Sequence, residues 1–180
     1  MLNQLSRRAF FHTGAASVLG PLAGGAAAGQ ASSSGSVQIE KDVVFGKGGD
    51  TDLRLDVYRP TGASKRMALI HLHGGGYRGG SKADLADKVT PITRLGYVSI
   101  GAQYRLTGVA KWPAQLADLK AAIRWTRANA GSLGIDPKLI AVVGYSAGGH
   151  LALSGAGTQR RPEFEGNGGN ANASSDLAAC

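Results

Sequence analysis

The stretch that most constrains this chain is Gly144-Tyr145-Ser146-Ala147-Gly148-Gly149. It follows a β-branched apolar run, Leu139-Ile140-Ala141-Val142-Val143, and precedes a small-residue segment of helical character from Ala147 to Gly157. A serine flanked by glycines between a strand and a helix sits in a sharp turn that strains its backbone and lifts its hydroxyl clear of the sheet. The glycines two residues to either side are required because strand and helix pass too close there for a Cβ. Ser146 is therefore the candidate nucleophile. The bland alternative is a glycine-rich turn with a bystander serine, and a second motif upstream argues against it.

That motif begins with Met67-Ala68-Leu69-Ile70-His71-Leu72, a continuous apolar run of the kind buried on both faces of a parallel sheet. The run empties into His73-Gly74-Gly75-Gly76-Tyr77. Glycines directly after a buried strand leave backbone N–H groups free to face a cleft. Acyl transfer builds negative charge on a carbonyl oxygen, and each preorganised donor aimed at it lowers the barrier by roughly 2.7–4 kcal/mol. The expected donors are the N–H groups of Gly75 and Gly76, joined by that of Ala147 beside the nucleophile. A phosphate cradle is the other use of such a loop, but no Gly-Lys-Ser/Thr follows; Gly80-Ser81-Lys82 has the order reversed. His73 is expected to orient the glycine loop through its ring nitrogens rather than act as a base. His71 is expected to be a satisfied core histidine.

The remaining body supplies alternating strands and helices. Val37 to Val44 and the strictly alternating Leu53-Arg54-Leu55-Asp56-Val57-Tyr58 predict an antiparallel hairpin around a turn at Gly46 to Asp52, the second strand having one wet face. Ser81 is placed to cap a helix carrying Leu85, Val89 and Ile92, which Pro91 should kink or split. Tyr97 to Gln103 reads as a strand, and a helix starting at Pro113 presents Leu116, Leu119 and Ile123 on one face as far as Gly131. Asp118 and Arg124 on that helix are expected in structural ion pairs. The order implies a three-layer α/β fold with a mostly parallel central sheet, and places both glycine motifs at the carboxyl ends of adjacent strands.

Composition limits the partners. With 43% hydrophobic residues in 180, the chain can bury one core. Its net charge of +8 is scattered singly with few aromatics interleaved, which excludes a nucleic-acid stripe in favour of a solvated basic surface. Cys180 is the single cysteine, so there is neither a disulfide framework nor zinc spacing. No metal or organic cofactor is implied, and oligomeric state is not legible. Residues 1–28 contain Ser6-Arg7-Arg8-Ala9-Phe10-Phe11, a weak apolar run and Ala26-Ala27-Ala28, which resembles a bacterial twin-arginine export signal. The run is too short and glycine-rich to span a membrane. Residues 29–36 read as a flexible polar linker and 37–180 as the folded domain, exported to the periplasm or beyond.

Taken together, His73-Gly74-Gly75-Gly76 and Gly144-Tyr145-Ser146-Ala147-Gly148-Gly149 resemble the α/β-hydrolase superfamily, on the side of the hormone-sensitive-lipase-like esterases. Tyr104-Arg105-Leu106, Trp112-Pro113-Ala114-Gln115 and Ala121-Ala122-Ile123-Arg124-Trp125 are similar to bacterial secreted esterases related to acetylxylan and feruloyl esterases. The resemblance implies an α/β-hydrolase fold and a serine carboxylesterase acting on a small-molecule or carbohydrate ester. It also implies a carboxylate and a histidine following the serine in the chain. Tyr145 stands where many relatives carry an acid.

Beyond Ser146 the histidine is His150, four residues along the helix, expected to point away and to pack the helix. Glu163, Glu165 and Asp176 arrive before another strand has formed, too early for the family's acid. Asp176 to Cys180 reads as the beginning of a further strand. The expectation is an N-terminal portion of a longer hydrolase, its C-terminal part missing and its own activity low. A serine peptidase of the same fold, and a hydrolase-like module that only binds, remain as alternative readings.

Overall fold

The computed structural model describes residues 35–180, so the expected leader (1–28) and all of the expected linker but Gly35 and Ser36 lie outside the described residues. Strands β1 (Val37–Gly48) and β2 (Thr51–Pro60) form the predicted antiparallel hairpin. Its turn is tighter than the sequence suggests, because pairing persists to Gly48 opposite Thr51 and Gly49 takes the left-handed conformation at φ 63°. β3 (Ala68–Leu72), β4 (Val98–Ala102) and β5 (Ile140–Gly144) complete a five-stranded sheet in the order β1-β2-β4-β3-β5. The sheet is mixed. β1, β2 and β4 run antiparallel, whereas β3 is parallel to both its neighbours, and a further parallel bridge joins Ala141 to Ala179.

Helix α1 (Ala86–Arg94) packs with Tyr58, Leu85 and Val89 on one face of the sheet. On the other lie α2 (Ala114–Ala128), the short α3 (Ala130–Leu133) and α4 (Ala147–Gly157), over a core that includes Leu55, Ile70, Leu72, Ile100, Leu116, Ile123 and Val142. This is the partial α/β-hydrolase arrangement, three layers with helices on both faces.

Three local expectations change. Pro91 does not divide its helix: α1 runs through it, and the conformational change falls earlier, where a 3-10 turn at Lys82–Leu85 hands over to α1. The proline deprives only the carbonyl of Asp87 of a helical donor, and Asp87 and Pro91 are both exposed, so water can replace it. Helix α2 ends at Ala128, and Gly131 lies inside α3; the residue that closes this segment is Gly134, at φ 67°. Finally, β2 has no continuous wet face. Asp56 and Tyr58 are both about 2% exposed, because the 3-10 turn and α1 cover them, and Lys82 Nζ donates to Asp56 at 2.6 Å.

Candidate active site

The loops that follow β3 and β5 meet because those strands are neighbours in register, Leu72 opposite Gly144. The Tyr145 N–H donates to the Leu72 carbonyl at 3.1 Å and carries the pairing one residue past the strands. Ser146 then turns at φ 53° and ψ −117°, a conformation that costs a non-glycine residue about 1–3 kcal/mol, and α4 starts at the next residue. The flanking glycines admit that turn. A Cβ on Gly144 would lie 2.0 Å from the Gly148 carbonyl oxygen, and one on Gly148 would lie 2.4 Å from that of Leu72. Ser146 is exposed, and the positive end of the α4 dipole begins beside it.

The glycine loop lies directly against this turn: a Cβ on Gly74 would be 3.3 Å from that of Ser146. Gly75 and Gly76 adopt φ 112° and 60°, and the N–H groups of Arg78 and Gly79 fold back onto the Gly75 carbonyl. Among the described residues, the N–H groups of Gly75, Gly76 and Ala147 make no hydrogen bond to protein. Three uncommitted donors thus flank an exposed serine, an arrangement suited to stabilising an oxyanion.

His73 is held beneath the loop, 1% exposed and stacked on Tyr104 with ring centroids 4.3 Å apart. Its Nδ1 lies 2.7 Å from the Gly74 carbonyl oxygen, which can only accept, so Nδ1 carries the proton. Nε2 then accepts from Gln103 Nε2 at 3.1 Å, and that amide also donates to the Tyr104 carbonyl. Burial lowers the His73 pKa, keeping the ring neutral in this tautomer. The Tyr104 hydroxyl donates to the His73 carbonyl at 2.8 Å, and burial pushes its own pKa up to about 12. His73 therefore orients the loop and has no free nitrogen for proton transfer.

His71 differs from expectation in one respect. It is fully buried, with Gly101 and Val143 flanking it in the sheet, but among the described residues neither ring nitrogen has a hydrogen-bond partner. Burial drives its pKa down to about 4.

His150 is a correction. It is exposed, and its Nδ1 is hydrogen-bonded to the Tyr77 hydroxyl at 2.7 Å rather than packed into the helix. His150, in the first turn of α4, thus faces Tyr77 at the end of the glycine loop. Trp112, half exposed, completes the cluster with its ring centroid 6.2 Å from that of His150 and 6.5 Å from that of Tyr77. None of His71, His73 and His150 is hydrogen-bonded to Ser146: the ring nitrogens of His71 have no partner among the described residues, and the bonds of His73 and His150 go elsewhere.

The downstream acids have structural partners. Glu165 accepts from Lys120 at 2.8 Å and Arg124 at 2.7 Å, and Asp176 pairs with Arg160. Asp118 and Arg124 are in ion pairs, but with Arg105 and Glu165 rather than with each other. A cavity of about 240 Å³ between Arg124, Arg160 and Ser174 shares no residue with the serine site. The support that Gln103 and Tyr104 give His73, and the clustering of Tyr77, Trp112 and His150, are what local motif reading misses. The signal for Gln103 and Tyr104 was available: they stand just beyond the carboxyl end of β4, beside β3.

The BD-FAE family model matches residues 55–179. Among curated proteins, the chain is similar to Esterase LipC of Mycobacterium tuberculosis, 36% identical over 121 residues that make up 66% of this chain and 30% of LipC. Carboxylesterase NlhH from the same species is 36% identical over 119 residues, 64% of this chain and 37% of NlhH. Among solved structures, a truncated carbohydrate esterase from gut microbiota superposes with a TM-score of 0.69 at 28% identity, covering 78% of this chain and 54% of that one. Propionate-bound Est2 of Thermogutta terrifontis superposes with a TM-score of 0.67 at 33% identity, covering 83% and 54%. The chain thus spans about a third of the length of these curated relatives and about half of these structures.

Proposed function

The chain belongs to the BD-FAE family, within the α/β-hydrolase esterases, and from that premise we propose that it carries the nucleophile and oxyanion donors of a serine carboxylesterase. The observation that supports this most is the exposed, strained Ser146 beside three N–H groups with no protein partner. In the proposed reaction Ser146 Oγ attacks an ester carbonyl and gives its proton to a base. The N–H groups of Gly75, Gly76 and Ala147 hold the oxyanion, the alcohol departs with that proton, and water releases the acid from the acyl-serine. Small acyl esters are the proposed substrates, with acetylated carbohydrate the class to test first; the likeness to a carbohydrate esterase and to a propionate-bound esterase supports that choice.

A serine hydroxyl needs a base, which in this family is a histidine backed by a carboxylate. Since no described histidine is bonded to Ser146, residues 1–180 alone are expected to turn over esters at or near background. A form of the protein that supplies the histidine is expected to be active. Export is proposed on the Arg7-Arg8 leader, and retention of an Arg7→Lys, Arg8→Lys variant in the cytoplasm would support it.

The test is covalent trapping. A fluorophosphonate probe, read by intact mass, should add one label to the active form and none to Ser146→Ala. Labelling that survives Ser146→Ala, or release of amines but not alcohols from paired amide and ester substrates, would overturn the assignment.

A further inference from the structure

Tyr77 follows the second proposed donor, Gly76, and is itself in the left-handed region at φ 63°. A bulky residue holds that conformation only where its surroundings over-determine it. Tyr77 is tied at both ends. Its carbonyl accepts from the Thr107 N–H at 2.8 Å and the Thr107 hydroxyl at 3.2 Å. Its hydroxyl meets His150 Nδ1, on α4, at 2.7 Å. Between these ends the ring packs edge-on against Tyr104 and Trp112. The two motifs that carry the proposed chemistry are therefore joined by one side-chain hydrogen bond, from the loop after β3 to the first turns of the helix after β5.

We infer that Tyr77 and His150 form a latch that holds the glycine loop, and with it the Gly75 and Gly76 N–H groups, in register with Ser146. Both are positioning residues; neither is assigned contact with the reacting atoms. The latch rests on the oxyanion role proposed above, although its mechanical part does not. Freed at its tip, Tyr77 would have less to hold it in a strained conformation, and the loop it terminates would sample others. Donors preorganised less well lower the rate of the chemical step while leaving ground-state binding largely intact.

The test uses the full-length protein with Tyr77→Phe, His150→Ala, the double variant, and His150→Asn, whose amide can occupy the place of Nδ1. Hydrogen exchange of the backbone from Gly74 to Gly80 should quicken in the first three and return towards wild type in His150→Asn. On a small acyl ester, Tyr77→Phe and His150→Ala should each lower kcat about tenfold with KM within about twofold. The double variant should lose no more than either alone, because both remove the same bond. Unchanged exchange in Tyr77→Phe and His150→Ala would overturn the latch, whether or not the wild type turns over esters. A rise in KM with kcat intact would also overturn it, by making these residues substrate contacts. Altered exchange in a protein with no esterase activity would instead retain the latch and remove the proposed function.

Discussion

At the scale of single residues, the serine turn is a steric statement. Ser146 is strained, and Gly144 and Gly148 admit the strain by lacking a Cβ where two backbones cross. The obstacles to a Cβ on Gly148 are two successive backbone oxygens at the end of β3, those of Leu72 at 2.4 Å and His73 at 2.6 Å, and neither can swing aside as a side-chain tip could. Gly148→Ala is therefore expected to destabilise the fold by about 3 kcal/mol, read as a lowered urea midpoint. Gly149→Ala should cost less than about 1 kcal/mol, since the nearest atom to its Cβ is the Gly144 oxygen at 3.3 Å. Equal costs at the two positions would contradict this reading. Much of this was legible in the sequence, because the spacing of glycines about a serine is itself a record of backbone proximity. The environment of His150 was not, since its partner Tyr77 lies 73 residues away in the chain.

At the scale of elements, α2 shows what periodicity cannot tell. Leu116, Leu119 and Ile123 mark its buried face as the sequence implies, but Asp118, Lys120 and Arg124 are buried too, at 2%, 0% and 3% exposure. The helix tolerates Asp118 because Arg105 pairs with it, and Lys120 and Arg124 because the loop from Glu165 to Ser175 closes over them. Lys120 Nζ donates to Glu165, Ser175 Oγ and the Thr158 carbonyl, and Arg124 donates to Glu165 and the Gly169 carbonyl. Lys120 and Arg124 hold the Glu165 carboxyl below its ordinary pKa despite its partial burial. Glu165→Gln leaves two buried cations without their shared anion. It should destabilise by about 3 kcal/mol, a fall in Tm of roughly 6–12 °C for a domain of this size. A fall of under a degree in thermal unfolding would show that solvent already screens the network. The segment from Glu165 to Ser175 is a lid on buried charge that periodicity could not foretell, because the acid that neutralises α2 arrives 41 residues after Arg124.

At the scale of the whole molecule, burial of the sheet sets a pH dependence. His71 is neutral in the fold with its pKa lowered to about 4 from an ordinary 6.5, so the unfolded chain takes up a proton between those values and the folded one does not. The stability it contributes is complete above about pH 6.5 and falls by about 3 kcal/mol as pH drops towards 4. His73, whose pKa burial also lowers, adds in the same sense. Urea unfolding should show about 2 kcal/mol of that loss between pH 7.5 and pH 5, and His71→Leu should flatten the slope; a slope unchanged by the substitution would place the proton uptake elsewhere. The sequence by itself determined what short-range sterics and periodicity control: the hairpin, the buried strand at Ala68–Leu72, the glycine loop after it and the strand–serine–helix turn. The tertiary structure alone decided that β3 lies between β4 and β5. It also decided that Gln103 meets the His73 ring opposite the Gly74 carbonyl and so holds it as one neutral tautomer, and that Tyr77 reaches across to His150. The physical reason is range: spacing along the chain encodes which backbone shapes a segment can adopt, whereas burial, tautomer and hydrogen-bond partner depend on which distant segments the sheet order brings together.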